Sequence, residues 1–258
     1  MNKEEVLRKM IAAKEIPATI YKYASIDTAK LIVKKSSLKF SCPFDFNDPF
    51  ECRANISTDA TLDEIVKFFD FCDRRSEFTP KQKQEKAIEA LAYPKVFNET
   101  VRKSLEGTTQ NTRMCCFSKK NDNILMWSHY ANMHKGVCLK FDILQDVDFF
   151  YPLLPVLYES DFLAYNYVLN PTLVVDKQIR MKAIDWEYEH ELRIIKTNGN
   201  DYYNFKKGAL TEIIFGCSAE VKEINEIKKI ADETKYPSIS LKQAKQVEGK
   251  YELQIEEL

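Results

Sequence analysis

Glycine is scarce in this chain, at 6 of 258 residues. Loops that wrap backbone N–H groups around phosphates need several glycines close together, and neither G-x-G-x-x-G nor G-x-x-x-x-G-K-[ST] occurs. Any nucleotide must therefore be held by other means. No apolar run approaches the roughly 18 residues of a membrane span, so a membrane is not expected as a partner. An excess of one charge is missing as well: 38 Lys and Arg against 39 Asp and Glu leave a formal net charge of -1. That balance exerts no global pull on nucleic acid and leaves only a local basic groove as a route to it. The 7 cysteines contain no C-x-x-C pair, and no signal-like N-terminus accompanies them. Reduced thiols and a cytoplasmic location are expected.

What the chain has in quantity is aromatic side chains, 13 Tyr and 16 Phe, within an ordinary 45% hydrophobic and 30% charged composition. A chain of this length buries a full core, and its segments predict a single α+β domain over residues 1–258 with a helical insertion at about 60–106. The centre of the pattern is RMCCFSKKNDNILMWSHYANMHKGVCLKFD at 113–142. Met114, Cys115, Cys116 and Phe117 form a short apolar run that stops at a polar loop rich in helix-capping residues. Over 124–133 the pattern is helical, with Trp127, Tyr130, Ala131 and His134 on one face. Gly136 is placed to supply a left-handed C-terminal cap. Val137, Leu139 and Phe141 then alternate with Cys138, Lys140 and Asp142, as in a half-buried strand. Trp127 reads first as core; Ser118, His129 and Tyr130 are better candidates for a polar pocket.

Before this centre, residues 4–14 predict a charged helix and 19–23 a strand with Tyr21 and Tyr23 on one face. Asp27 is placed to cap a helix over 28–35, and 38–41 returns as a strand, giving a β-α-β start. The loop C-P-F-D-F-N-D-P-F-E at 42–51 holds two prolines and three phenylalanines. Phe44, Phe46 and Phe50 are expected to plug the core, while Asn47, Asp48 and Glu51 face a cleft or fold the turn. From 62 to 105 the signal is helical and charged, with Leu62, Ile65, Val66 and Phe69 as one stripe. This insertion reads as a lid or an arm for a partner protein. Beyond the centre, strands are expected at 153–158 and 211–215, helices at 173–184 and 219–234, the latter capped by Ser218, and two strands within 238–256.

The second stretch with chemical content is D-W-E-Y-E-H-E-L-R-I-I-K at 185–196. Read as a strand throughout, it lines Glu187, Glu189, Glu191 and Arg193 along one face. Carboxylates so close repel one another unless they are solvated, tied up by Arg193, or facing a cation, a metal or a developing carbocation.

Y-K-Y at 21–23, F-N-D-P-F-E at 46–51, C-F-S at 116–118, M-W-S-H-Y-A at 126–131 and W-E-Y-E-H-E-L-R at 186–193 together resemble a bacterial family of unknown function. More distantly, a first-strand tyrosine, a middle strand ending in serine and a late E-x-E resemble the ADP-ribosyltransferase superfamily, which splits NAD between nicotinamide and ribose. That resemblance implies a mixed split β-sheet core and NAD as substrate. It places Tyr21 or Tyr23, Ser118 and Glu191 as the cofactor-holding residue, the middle-strand serine and the catalytic glutamate. It also implies a role as a toxin or phage-defence effector. The chain departs from the superfamily in lacking a Ser-Thr-Ser string and in having tyrosine where arginine or histidine is usual.

The residues suit this chemistry. Breaking a glycosidic C–N bond builds an oxocarbenium-like cation, which a fixed carboxylate such as Glu191 stabilises in a low-dielectric pocket. Glu189 is placed to orient or deprotonate the acceptor, whether protein, nucleic acid, small molecule or water. Tyr130 is a stacking surface for nicotinamide, and Trp127, His129 and Asn47 complete the candidate cofactor-binding set. No metal is expected in this reading. Three others compete: a non-catalytic nucleotide- or protein-binding module, a metal-dependent hydrolase or nuclease using Asp48, Glu51, Glu189 and Glu191, and a Cys116 nucleophile with His129.

Overall fold

The computed structural model describes residues 2–53 and 55–258. Helix α1 (Lys3–Ala12) begins where the Asn2 side chain accepts from Glu4 N, and β1 (Thr19–Ala24), α2 (Ile26–Lys35) and β2 (Ser37–Lys39) follow. Ser25 rather than Asp27 caps α2, accepting from Thr28 N at 3.3 Å; Asp27 sits in the first turn, where its charge suits the helix dipole. After β3 (Asn55–Ser57) come α3 (Leu62–Cys72), α4 (Pro80–Ala92) and α5 (Pro94–Gln110). Thr61 and Thr79 open α3 and α4 with capping boxes closed by Glu64 and Gln82. The chain continues through β4 (Thr112–Ser118), α6 (Ile124–Tyr130), β5 (Val137–Asp142), α7 (Val147–Phe150), β6 (Leu153–Pro155), β7 (Leu157–Glu159) and β8 (Ala164–Asn166). Then come α8 (Pro171–Arg180), β9 (Met181–Ala183), β10 (Glu191–Thr197), β11 (Tyr202–Asn204), β12 (Leu210–Phe215), α9 (Val221–Glu233), β13 (Ser240–Gln246) and β14 (Leu253–Glu257).

Several elements differ from their sequence patterns, each for a local reason. Helix α6 stops at Tyr130 because Asn132, Met133 and His134 turn left-handed, with φ of 47°, 53° and 64°. Gly136 is not that left-handed residue. It is glycine because a Cβ there would lie 2.2 Å from Ala24 O and 2.8 Å from Ala131 O. The helix expected over 173–184 ends at Arg180 and gives way to β9. Residues Ile184–Glu189 form a 3₁₀ turn rather than the start of a strand, and His190, at φ 45°, separates that turn from β10. The four charged residues therefore do not share one strand face. Strand β2 pairs with β11, not with β1, so the opening is not a β-α-β unit of one sheet. Glu220, not Ser218, caps α9.

Two compact units divide the chain. The first is Met1–Ser41, Arg113–Val156 and Asp185–Leu258; the second is Cys42–Thr112 and Leu157–Ile184. The fold is mixed α and β, and its large mixed sheet has eight strands in the order β14-β13-β12-β5-β1-β4-β10-β6. Strands β12 and β13 run parallel, whereas β1 runs antiparallel to both β4 and β5, pairing with β5 from Thr19↔Asp142 to Ala24↔Val137. One face of this sheet packs Ile20, Phe117, Leu139, Phe141, Leu192 and Ile194 against Leu7, Ile32, Val33 and Ile227 of α1, α2 and α9. The other face packs Tyr23, Cys138, Ile214 and Ala244 against Met126, Trp127 and Ala131.

The second unit has its own apolar clusters. Ile65 and Phe68 of α3 meet Ala87 and Ala90 of α4, and Ile56, Val101, Leu105 and Val174 form another. Phe44 and Phe50 do not plug a core as expected; both are exposed, and Phe46 is half-buried. Among the described residues no helix is long and apolar enough to cross a membrane.

Candidate functional site

Tyr21 of β1 stands opposite Ser118 of β4 in the sheet register. Side chains alternate along strands, and Ile20, Ala24, Cys115, Phe117, Leu192 and Ile194 all belong to the phenylalanine-rich core. Tyr21, Tyr23, Cys116, Ser118, Glu191 and Arg193 therefore share the opposite face. The late acidic stretch is tied to this face by hydrogen bonds. The Ser118 hydroxyl donates to Glu189 O at 2.7 Å and accepts from Lys120 N at 3.1 Å. Lys119 N donates to His190 O at 3.0 Å.

Helix α6 holds the same turn from its other side. Asn123 accepts from Leu125 N and Met126 N through its side-chain oxygen, capping the helix, and its Nδ2 donates to Tyr188 O at 3.0 Å. The Tyr130 hydroxyl donates to Glu189 Oε1 at 2.6 Å, a distance typical of a bond to a carboxylate. Tyr188 OH and His129 Nδ1 lie 3.3 Å apart at the exposed rim. Glu189 is buried, so this carboxylate is fixed in place with little water around it.

Glu191 sits one residue beyond the break at His190. Arg193 grips it with a fork, Nε to Oε1 at 2.9 Å and Nη2 to Oε2 at 3.1 Å. Both side chains are buried, that of Arg193 completely. The repulsion expected among three carboxylates is thus relieved twice: the turn takes Glu187 and Glu189 off the strand, and the guanidinium neutralises Glu191.

Other candidates take quieter places. Trp127 is fully buried, its Nε1 donating to Asn121 O at 2.8 Å, and it meets Tyr23 edge-on at 5.2 Å. Tyr23 donates to Lys120 O at 3.0 Å, and burial holds its phenol far above the ordinary value. Asn47 is exposed on a loop of the second unit. Cys116 is a poor nucleophile, because burial and then the nearby Glu191 carboxylate push its thiol well up. Among the described residues no group of three or more His, Cys, Asp and Glu side chains is arranged to hold a metal. A groove of about 490 Å³ between the start of α6 and Tyr251, Glu252 and Leu253 is lined by none of the candidates.

Asn123 and Tyr188, which join the two motifs, were missed as site residues. The signal for Asn123 was its place just before an apolar helical run; Tyr188 contributes a backbone carbonyl, which any residue supplies. The buried pair of Lys182 and Glu51, 3.6 Å apart in the second unit, had no signal in the sequence.

A family model described as a protein of unknown function (DUF2971) matches residues 126–194. That span starts within α6 and ends within β10, so it takes in both M-W-S-H-Y-A and W-E-Y-E-H-E-L-R. No curated protein and no solved structure matches the chain.

Proposed function

We propose that the first unit binds NAD on the Tyr21–Ser118 face of its sheet and splits the nicotinamide–ribose bond, acting as an NAD glycohydrolase or an ADP-ribosyltransferase. The observation that carries this reading is the Ser118–Glu189 hydrogen bond of 2.7 Å beside the Tyr21↔Ser118 register pair. Through it the first-strand tyrosine, the mid-chain serine and the late acidic stretch come together, which supports the reading drawn from the resemblance. In the proposed step the C1′–N bond breaks and its electron pair leaves on nicotinamide. The oxocarbenium-like ribose is stabilised by a fixed carboxylate, and water or an acceptor hydroxyl attacks C1′ as its proton passes to that carboxylate. We assign this role to Glu189, whose buried carboxylate is oriented by the Tyr130 hydroxyl.

The test is incubation with NAD and measurement of free nicotinamide. Release is expected from the native chain and should fall at least about a hundredfold in Glu189→Gln. Expression of the native chain, but not of that variant, should drain cellular NAD and arrest growth, as a toxin or phage-defence effector would. NAD left intact by the native protein would overturn the proposal.

One observation favours a second reading, a non-catalytic nucleotide- or protein-binding module with α3, α4 and α5 as the partner-binding arm. Tyr23, Trp127, Ser118 and Glu191 all spend their polar atoms on internal partners, which makes for a rigid platform. This reading expects saturable binding of NAD or of a protein with no turnover.

A further inference from the structure

The second unit carries a groove of about 690 Å³, a size that takes small ligands. Three exposed rings line it: Phe50 is 67% exposed, Phe162 51% and Phe44 42%. Phe50 and Phe162 approach edge-on with centroids 6.5 Å apart. Keeping apolar rings wet forfeits about 25 cal/mol for each Å² left unburied, so a cluster of them on one groove marks a surface that something covers.

The cations beside these rings lack acidic partners. Arg53 is exposed and makes neither an ion pair nor a hydrogen bond among the described residues. Arg102 donates to two neutral oxygens, Asn98 Oδ1 at 2.8 Å and Ile56 O at 3.1 Å, leaving its charge uncompensated and further N–H groups available. Glu106 is the one acid on the lining, against these two arginines. Gln178, buried in the groove wall, donates through Nε2 to Thr109 Oγ1 at 2.6 Å and to Cys52 O at 3.3 Å. Those two bonds set which way the amide faces, and its oxygen has no partner among the described residues.

We propose that this groove binds single-stranded nucleic acid, with bases stacked on Phe50 and Phe162, phosphates on Arg53 and Arg102, and the Gln178 oxygen accepting from a base N–H. A row of rings beside a cationic track is how strands are gripped without strict sequence preference. Phe50 and Phe162 are each more than half exposed, so a strand can reach both rings, which suits a chain better than one enclosed nucleotide. This site stands independently of the NAD chemistry proposed for the first unit.

The experiment is fluorescence anisotropy of the full chain with labelled mixed-sequence RNA and DNA oligonucleotides of about 12 residues, and with labelled adenosine monophosphate. The oligonucleotides should bind at least about tenfold more tightly than the mononucleotide. Phe50→Ala should weaken them at least about fivefold, with Phe50→Tyr close to native. Arg53→Ala should flatten the dependence of log affinity on log salt by about 0.7. Phe50 and Arg53 are both exposed, and unchanged circular dichroism and melting would certify the fold of each variant. No binding of the oligonucleotides, equal affinity for the mononucleotide, or indifference to both Phe50→Ala and Arg53→Ala would overturn the proposal.

Discussion

On one face of the eight-stranded sheet Phe117 and Phe141 meet edge-on at 5.9 Å, and Phe150 packs against both at 6.0 and 5.9 Å. Leu139, Leu192 and Ile194 fill the space around them. The opposite face is apolar only beneath Trp127; toward β10 it carries the Ser118–Glu189 bond and the Arg193–Glu191 fork. These faces hold by different physics. The first is stabilised by area removed from water, which is non-directional. The second is held by directional polar bonds whose desolvation cost nearly cancels their attraction, so it contributes position more than stability. Positioned groups are what chemistry on a substrate needs.

The largest effects should come from breaking each face in its own way. Arg193→Met leaves Glu191 buried beside a neutral side chain and should cost about 3–5 kcal/mol. Adding Glu191→Leu to it should restore part of that loss, because the carboxylate that lost its fork goes too. Phe141→Ala on the first face should cost a similar ~3–5 kcal/mol, but there no second truncation repairs the damage. Urea unfolding of the three variants and the native chain decides it. A double variant as unstable as Arg193→Met alone would erase the distinction between the faces.

A smaller effect is expected at Tyr130, whose hydroxyl reaches Glu189 at 2.6 Å. Tyr130→Phe removes the hydrogen bond to the Glu189 carboxylate and should cost about 1.5–3 kcal/mol. If Glu189 acts in NAD cleavage, nicotinamide release should fall further than this loss of stability alone explains. Equal activity at a temperature where both proteins are folded would confine Tyr130 to a structural role.

The alternation along β1 and β5 was legible because each strand has one face in the phenylalanine core, β4 was legible only as an apolar run, and the helix over Trp127 was legible from its spacing. The 3₁₀ turn was not. In W-E-Y-E-H-E-L-R acidic and non-acidic residues alternate with the period of a strand, and what ends the pattern is the left-handed backbone of His190, which no side-chain period encodes. Gly136 was misread for a related reason: a left-handed cap and a tight backbone approach both demand glycine, so the residue does not distinguish them. Phe44 and Phe50 were assigned to a core on average burial, whereas the loop leaves both exposed. Of the candidate site, strand period puts Tyr21 and Tyr23 on one face, while the grouping of Tyr21 with Ser118 and Glu191 came from the resemblance alone. The join between Ser118 and the acidic turn runs through the carbonyl of Glu189, an atom common to every residue and therefore invisible in sequence.

The smallest expected effect separates the faces by pH. His134 stacks on Trp127, with centroids 6.4 Å apart, and its Nε2 lies 3.0 Å from Ser128 Oγ. Its Nδ1 is buried without a partner among the described residues, and burial holds its imidazole below the ordinary value. The neutral ring is the form the fold accepts. Below the ordinary value of 6.5, an unfolded chain takes up a proton that the folded chain resists, so stability present above that pH is lost as pH falls through the depressed value. His190 is shifted the same way, by burial first and then by Lys120, with Glu187 and Asp122 opposing, and it adds to the same slope. Melting temperatures followed from about pH 8 to about pH 5 should drop less steeply in His134→Gln than in the native chain, while Ile194→Val on the phenylalanine face should lower the whole curve without changing its slope. A native slope unchanged by His134→Gln would mean that the Trp127 side of the sheet tolerates the charged ring.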